Sequence, residues 1–403
     1  MVATTPLLQE IDEILPGVIA DRRWLHEHPE LGFEEVETAA FIQQRLESLG
    51  VEDIRTGIAK TGITALIRGT ADGPGKDKVL LLRADIDALP ILEENETEYV
   101  SKTPGTMHAC GHDAHTAILL GVTRLLLERR DQFAGTVKIL FQPAEERFPG
   151  GAKLMVEAGV LEDPHVDAVL GLHMANDVEV GSIKVAGGPV MAAPDSFEIV
   201  IQGKGGHAAR PQAAVDPVVI GAQIVAALQT LVSRETDPMD NAVVSTTIFQ
   251  AGEAFNVIPD TARLGGTVRT FKPETRERMA KRIPELAQGI GAAMGATVDA
   301  TFTYGYPATV NDPAEAERIR RVAIGVLGED KVLVMTPVMG GEDFSYFLNE
   351  RPGAYFFVGS KNEEKGLIWG HHHPKFDIDE ESMAVGMAVT VETVLDWFGD
   401  QAK

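Results

Sequence analysis

The stretch Lys78-Val-Leu-Leu-Leu-Arg-Ala-Asp-Ile-Asp-Ala-Leu-Pro90 decides how the rest of the chain is read. Residues 79–82 are apolar without alternation, so a strand there is buried on both faces, and it runs directly into Arg83 and Asp85. Strands of this kind belong to helix-covered, largely parallel sheets. In such sheets ligands gather beyond the carboxyl ends of the strands, where Arg83 and Asp85 stand. Two more stretches repeat the pattern: residues 137–141 run into Gln142-Pro-Ala-Glu145-Glu146, and residues 168–172 run into His173. A further strand is expected at 63–67 and another at 354–358, while helical periodicity marks 6–22, 34–48, 116–127, 152–158 and 314–326.

The pattern changes near residue 188. Residues 196–202 alternate as a half-exposed strand, 217–231 form a long apolar helix, and 242–249 and 264–270 read as strands. A helix over 274–294 and a strand over 297–304 complete a β-α-β-β-α-β order, that of a small ferredoxin-like α+β domain. The expected organisation is an α/β domain of residues 1–187 and 309–403, interrupted by an α+β domain of residues 188–308.

Composition narrows the function. A net charge of −24 over 403 residues argues against nucleic acid as a partner, because phosphate binding needs clustered Lys and Arg. The single cysteine, Cys110, forms no internal disulfide, the N-terminal stretch lacks a basic-then-apolar leader, and no apolar run approaches the ~20 residues of a membrane span. A cytoplasmic enzyme with no membrane partner is the expectation.

Cys110 is flanked by His108, His112 and His115 in a glycine-bearing turn that opens a helix. A helix N-terminus lowers a thiol pKa, which suits a thiolate ligand or a nucleophile. Imidazole, thiolate and carboxylate donors together suit zinc, with manganese, cobalt or nickel also accepted. Cys110 and His112 are too few for a closed structural site, and no CxxC is present. The adjacent Glu145 and Glu146 suit a division of labour in which one carboxylate binds metal and the other handles a proton.

Nine segments, in order, resemble the amidohydrolase branch of the dinuclear zinc aminoacylase and carboxypeptidase superfamily: RRWLHEHPELGFEE, LLRADIDALP, PGTMHACGHDAH, FQPAEE, GLHM, GKGGHAARP, FNVIPD, GGEDFSYF and HHHPKFDIDE. The branch includes hippurate hydrolases, auxin-conjugate hydrolases and bacterial carboxypeptidases. The resemblance implies two divalent ions per subunit, with Cys110 bridging them, His112 and His173 on one, and Glu146 and His372 on the other. It implies Glu145 as general base and acid toward a water shared by the ions. His207, in the inserted domain, would stabilise the oxyanion. Asn256 and Arg269 are candidates for holding a substrate carboxylate, although an arginine ending a strand also suits a structural ion pair. The wider superfamily has a His-x-Asp motif and a bridging aspartate. Here Arg83 and Cys110 stand at those places, leaving Asp85 to orient a ligand imidazole.

The implied activity is hydrolysis of the amide of an N-acyl amino acid or short peptide, by a homodimer or homotetramer whose inserted domain serves as lid and dimerisation surface. The rivals are a dedicated N-acetyldiaminopimelate deacetylase and a metal-holding binding protein without catalysis.

Overall fold

The computed structural model describes residues 6–400 and divides into two compact units. One comprises the chain up to Val190, Val310–Thr336, and the chain from Asp343 onward; the other comprises Met191–Thr309 and Pro337–Glu342. The first five and last three residues, assigned above to the α/β domain, lie outside the described residues, as does the start of the N-terminal stretch read for a leader.

Among the described residues, the first unit is built on an eight-stranded sheet in the order Glu52–Ile58, Gly62–Arg68, Thr136–Gln142, Val79–Asp85, Ala168–Glu179, Gly353–Lys361, Ile183–Val185, Val332–Val334. Its four central strands, from Thr136–Gln142 to Gly353–Lys361, are mutually parallel, whereas Glu52–Ile58 and Gly62–Arg68 add on antiparallel. Val79–Asp85 is buried at every position, as its unbroken apolar run requires. The register pairs Asp85 with Gln142 and Arg83 with Gly171, so the ends of two strands and the His173 position of the third share one edge. Ala168–Glu179 is longer than its apolar run, so His173 stands within the strand instead of at its end.

Helix His112–Leu127 is buried on nearly every side. It lies against the sheet and against helices Pro6–Glu27 and Ser382–Asp400, the last of which the periodicity above does not assign. Gly121 makes this approach possible: a Cβ there would meet the Met387 sulfur at 2.4 Å and Val18 at 3.1 Å. The helix begins four residues earlier than its apolar pattern, because its first turn, His112 to His115, spends its side chains on polar contacts.

The second unit holds a four-stranded antiparallel sheet in the order Ala242–Ala251, Thr261–Thr270, Ala193–Gln202, Thr297–Thr303. Burial alternates strictly along most of Ala193–Gln202, the signature of one face packed and one solvated. Helices Pro217–Ser233 and Pro273–Ala293 cover the packed face through Ile220, Ile224, Leu228, Met279 and Ile283. Asp216 caps the first of these, accepting from the Val218 N–H at 2.9 Å.

A buried charge network fastens the helices of the first unit. Arg22, wholly inaccessible, donates to Asp113 at 2.8 Å and to Asp377 at 2.8 Å. His26 donates through Nδ1 to Asp113 at 2.7 Å and through Nε2 to Glu93 at 3.2 Å, so both ring nitrogens carry protons. Burial and the Arg22 charge oppose this protonation, but the two carboxylates prevail and push the His26 pKa up to about 9. An imidazole with a raised folded-state pKa stabilises the fold fully below its unfolded value and loses that contribution as pH rises through the folded one. Stability measured by urea denaturation is therefore expected to fall between about pH 6.5 and pH 9, by up to about 3 kcal/mol, with a flatter profile in His26→Gln.

Candidate metal centre and active site

The shared edge of the sheet gathers the polar residues that end or follow each apolar run. The turn Ala109-Cys110-Gly111 leads into helix His112–Leu127, with Gly111 at φ 91° as its N-cap. Only glycine adopts that conformation without strain, and a Cβ there would press on Met174 at 3.2 Å. Cys110 and His112 are thereby set on either side of the turn, while His173 approaches from the neighbouring strand. Its Nε2 stands 3.5 Å from Cys110 Sγ. Donor atoms of Cys110, His112 and His173 all lie within 4.8 Å of one another, and those of Cys110, Glu146 and His372 form a second such set. Cys110 belongs to both.

His372 Nε2 lies 3.0 Å from Glu146 Oε1. Its neighbours are otherwise engaged: His371 donates to the Met174 carbonyl at 3.0 Å, and His373 stacks on Trp369 at 4.2 Å. His372 takes φ 64°, and its N–H donates to the Ala109 carbonyl at 2.7 Å, tying its loop to the cysteine turn. The two sets differ in exposure. His112 and His173 are buried, whereas His372 is 53 % exposed, so the site opens on that side.

Backbone acceptors fix the imidazoles. His112 Nδ1 donates to the Asp87 carbonyl at 2.9 Å and His173 Nδ1 to the Met174 carbonyl at 2.6 Å, so each turns Nε2 toward the cluster. His112 Nε2 is buried and has no hydrogen-bond partner among the described residues. A buried, unsatisfied nitrogen aimed at a thiol and carboxylates is what a metal ligand looks like without its ion. Charge supports the same fit. Burial resists charge on His112, but Asp85 and Asp87 push its pKa up to about 10. Burial together with Glu146, Glu145 and Asp85 pushes the Cys110 thiol well up. The direction is opposite to the lowering expected of a thiol at a helix N-terminus, because burial and the neighbouring carboxylates disfavour the thiolate. The anionic donor set fits divalent cations, and the residues that would hold them are Cys110, His112, His173, Glu146 and His372.

Asp85 serves another imidazole than the five donors. It accepts from His115 Nδ1 at 2.6 Å and from Arg83 at 2.6 Å, and stands 3.7 Å from His112 Nε2. His115 Nε2 in turn accepts the Met174 N–H at 2.9 Å, so both its nitrogens are used and it braces the strand next to His173. Orientation of His112 falls to Asp87, a residue that the sequence reading passed over. Its carboxylate also accepts the backbone N–H groups of Glu145 and Glu146, each at 3.0 Å. Glu35 completes the cradle, accepting the Ala144 N–H at 2.9 Å and the Thr61 hydroxyl at 2.6 Å. The alternation Asp85-x-Asp87 at the end of a buried strand was the available signal.

Glu145 is buried, and its Oε1 accepts the Asp343 N–H at 3.4 Å. The remaining candidates lie on the second unit. His207 pairs in register with Val257, and the Ala208 N–H donates to the Asn256 carbonyl at 3.0 Å, so His207 and Asn256 share one small ladder. Arg269 donates to the Thr267 hydroxyl at 3.1 Å and the Met339 carbonyl at 3.3 Å. Among the described residues no carboxylate lies within ion-pair distance of it.

A fold of this kind, with two triads of metal donors beside a carboxylate, defines a dinuclear-type hydrolase site, and the comparisons agree. The sequence model of peptidase family M20/M25/M40 matches residues 81–396, and the chain belongs to that family. It is 44% identical over 364 residues to an N-acetylcysteine deacetylase of Bacillus subtilis, covering 90% of this chain and 92% of that protein. It is 41% identical to IAA-amino acid hydrolase ILR1-like 4 of Arabidopsis thaliana, covering 95% and 86% of the two chains. The crystal structure of Bacillus subtilis YXEP, described as a dinuclear metal binding peptidase of the M20 family, superposes with a TM-score of 0.83 at 39% identity, covering 96% of this chain and 99% of that one.

Asp87→Ala keeps the carbonyl that accepts from His112 but removes the carboxylate that holds the Glu145 and Glu146 N–H groups and stands 3.3 Å from His112 Nδ1; it is expected to weaken divalent-ion affinity by about 10-fold. Chelator competition would measure it.

Proposed function

We propose that the protein is a metal-dependent amidohydrolase that cleaves N-acyl amino acids or short peptides and releases a free amino acid. The observation that carries this reading is the pair of donor triads sharing Cys110, with Glu145 held beside them. The names of its relatives, a deacetylase of an N-acetyl amino acid and a hydrolase of an amino-acid conjugate, support the substrate class. The bound ions would polarise the amide carbonyl and make water acidic enough to react near neutral pH.

The rest is work for the side chains. Glu145 is suited to proton transfer because both its ends are held, the backbone by Asp87 and Oε1 by the Asp343 N–H. Its carboxylate takes the proton of the attacking water and hands it to the leaving nitrogen. His207 is the proposed donor to the carbonyl oxygen as negative charge develops there. Arg269 is the proposed grip on the substrate carboxylate, with Asn256 beside the His207 ladder as its polar companion. Support for Arg269 comes from its half-burial without a carboxylate partner among the described residues, in a chain of net charge −24. In this reading the α/β unit is catalytic and the second unit is the lid and dimerisation domain of a cytoplasmic homodimer or homotetramer. No helix among the described residues is long and apolar enough to cross a membrane.

Amino-acid release from N-acetyl, N-benzoyl and dipeptide substrates tests the proposal. Chelation is expected to abolish turnover, and zinc, manganese, cobalt or nickel to restore it. Glu145→Ala is expected to lower kcat by about 10²- to 10⁴-fold with metal content unchanged. Full activity in that variant would remove Glu145 from the mechanism.

A further inference from the structure

We propose that Asp343 is a positioning residue for Glu145, a role that rests on the reading of Glu145 as the proton-transfer group. The peptide N–H of Asp343 donates to Glu145 Oε1 at 3.4 Å, so the placing of this backbone group helps set where the carboxylate can point. The Asp343 side chain is what holds the peptide. It is fully buried and accepts from Arg83 Nη2 at 2.9 Å, from Gln142 Nε2 at 2.8 and 2.9 Å, and from the Ala152 N–H at 3.0 Å.

These donors come from places that cannot shift independently. Arg83 and Gln142 sit near the ends of two central parallel strands, and Arg83 Nε donates to Gln142 Oε1 at 2.8 Å. Ala152 lies in the first turn of helix Gly151–Glu157, where its N–H has no partner within the helix. The next residue, Phe344, is wholly buried and stacks on Tyr355 at 5.0 Å, which pins the backbone from the other side. Asp343 thus transfers the rigidity of the sheet to a carboxylate that has to hold a proton in one place.

The arrangement also gives Arg83 a task. It stands two residues before Asp85 on the same strand and bonds to both Asp85 and Asp343, so one buried guanidinium ties the brace behind His173 to the brace of Glu145. A buried ion pair of this kind is weak evidence for stability but is well suited to fixing a geometry.

The test is Asp343→Asn in the full-length, metal-loaded protein, beside the wild type on the best substrate of the panel. Asparagine keeps an acceptor for Arg83 and Gln142 but turns an amide N–H₂ toward the Ala152 N–H. Expected, at a temperature where both proteins are folded, is a fall in kcat of about 10- to 100-fold with KM within about threefold and bound metal equal to wild type; the buried amide facing the Ala152 N–H also lowers the melting temperature. Gln142→Met, which removes both Gln142 contacts to Asp343 without changing charge, is expected to lower kcat in the same way but less. It provides the decision should Asp343→Asn not fold. Unchanged kcat in the folded variant overturns the proposal, as does a loss accounted for by metal content or folded fraction, with kcat per folded, metal-loaded molecule intact. Failure of the wild type to hydrolyse any amide would overturn the functional reading along with it, whereas an active wild type with an indifferent Asp343→Asn would overturn this proposal alone.

Discussion

The structure of the first unit is organised around one electrostatic constraint, the packing of a thiol and several carboxylates at the carboxyl edge of a buried parallel sheet. Cys110, Asp85, Asp87 and Glu145 are all buried there, and a charge taken out of water must be paired or hydrogen-bonded. Arg83 neutralises part of the set from within the sheet, and the backbone N–H groups of Glu145 and Glu146 satisfy Asp87. What remains is a pocket of donors suited to divalent cations. Burial, with the surrounding carboxylates, raises the Cys110 pKa, and the carboxylates raise that of His112 against its burial.

Around these donors runs a frame of hydrogen-bonded residues. Asp85 orients His115, and His115 accepts the Met174 N–H, which steadies the strand carrying His173. Asp87 orients His112 and cradles the backbone of the two glutamates, and Glu35 does the same for Ala144, whose φ of 52° is otherwise costly. The braces come from three separate segments, Glu35, Asp85 with Asp87, and His115, so the geometry of the site is a property of the packed sheet and its loops together. Such support holds a metal or catalytic group to within fractions of an ångström.

The second unit has its own core and its own simple logic, one covered sheet face and two helices. It carries the proposed recognition residues His207, Asn256 and Arg269 on short ladders and strand ends, and Arg269 remains without a carboxylate partner among the described residues. The segment Pro337–Glu342 clusters with this unit through the Ala192 N–H, which donates to Val338 and Gly340 carbonyls at 3.1 and 2.9 Å.

Much of this was legible along the chain. Unbroken apolar runs ending in Asp85, Gln142 and His173 implied the parallel sheet and the edge where its chemistry lies, because burial on both faces leaves no alternation to see. The clustering of Cys110, His112, Glu145, Glu146 and the three histidines at 371–373 marked the donors, since these residue types together have few other uses. Tertiary structure alone decided which partner each donor faces. That His372 reaches Glu146 while His371 reaches Met174 depends on the turn that places His372 at φ 64°. That Asp85 serves His115, while Asp87 serves His112, depends on strand pairing and on a helix beginning at His112. Sequence periodicity reports which side of an element is buried, but a hydrogen bond needs distance and direction, and these exist only once distant segments have packed.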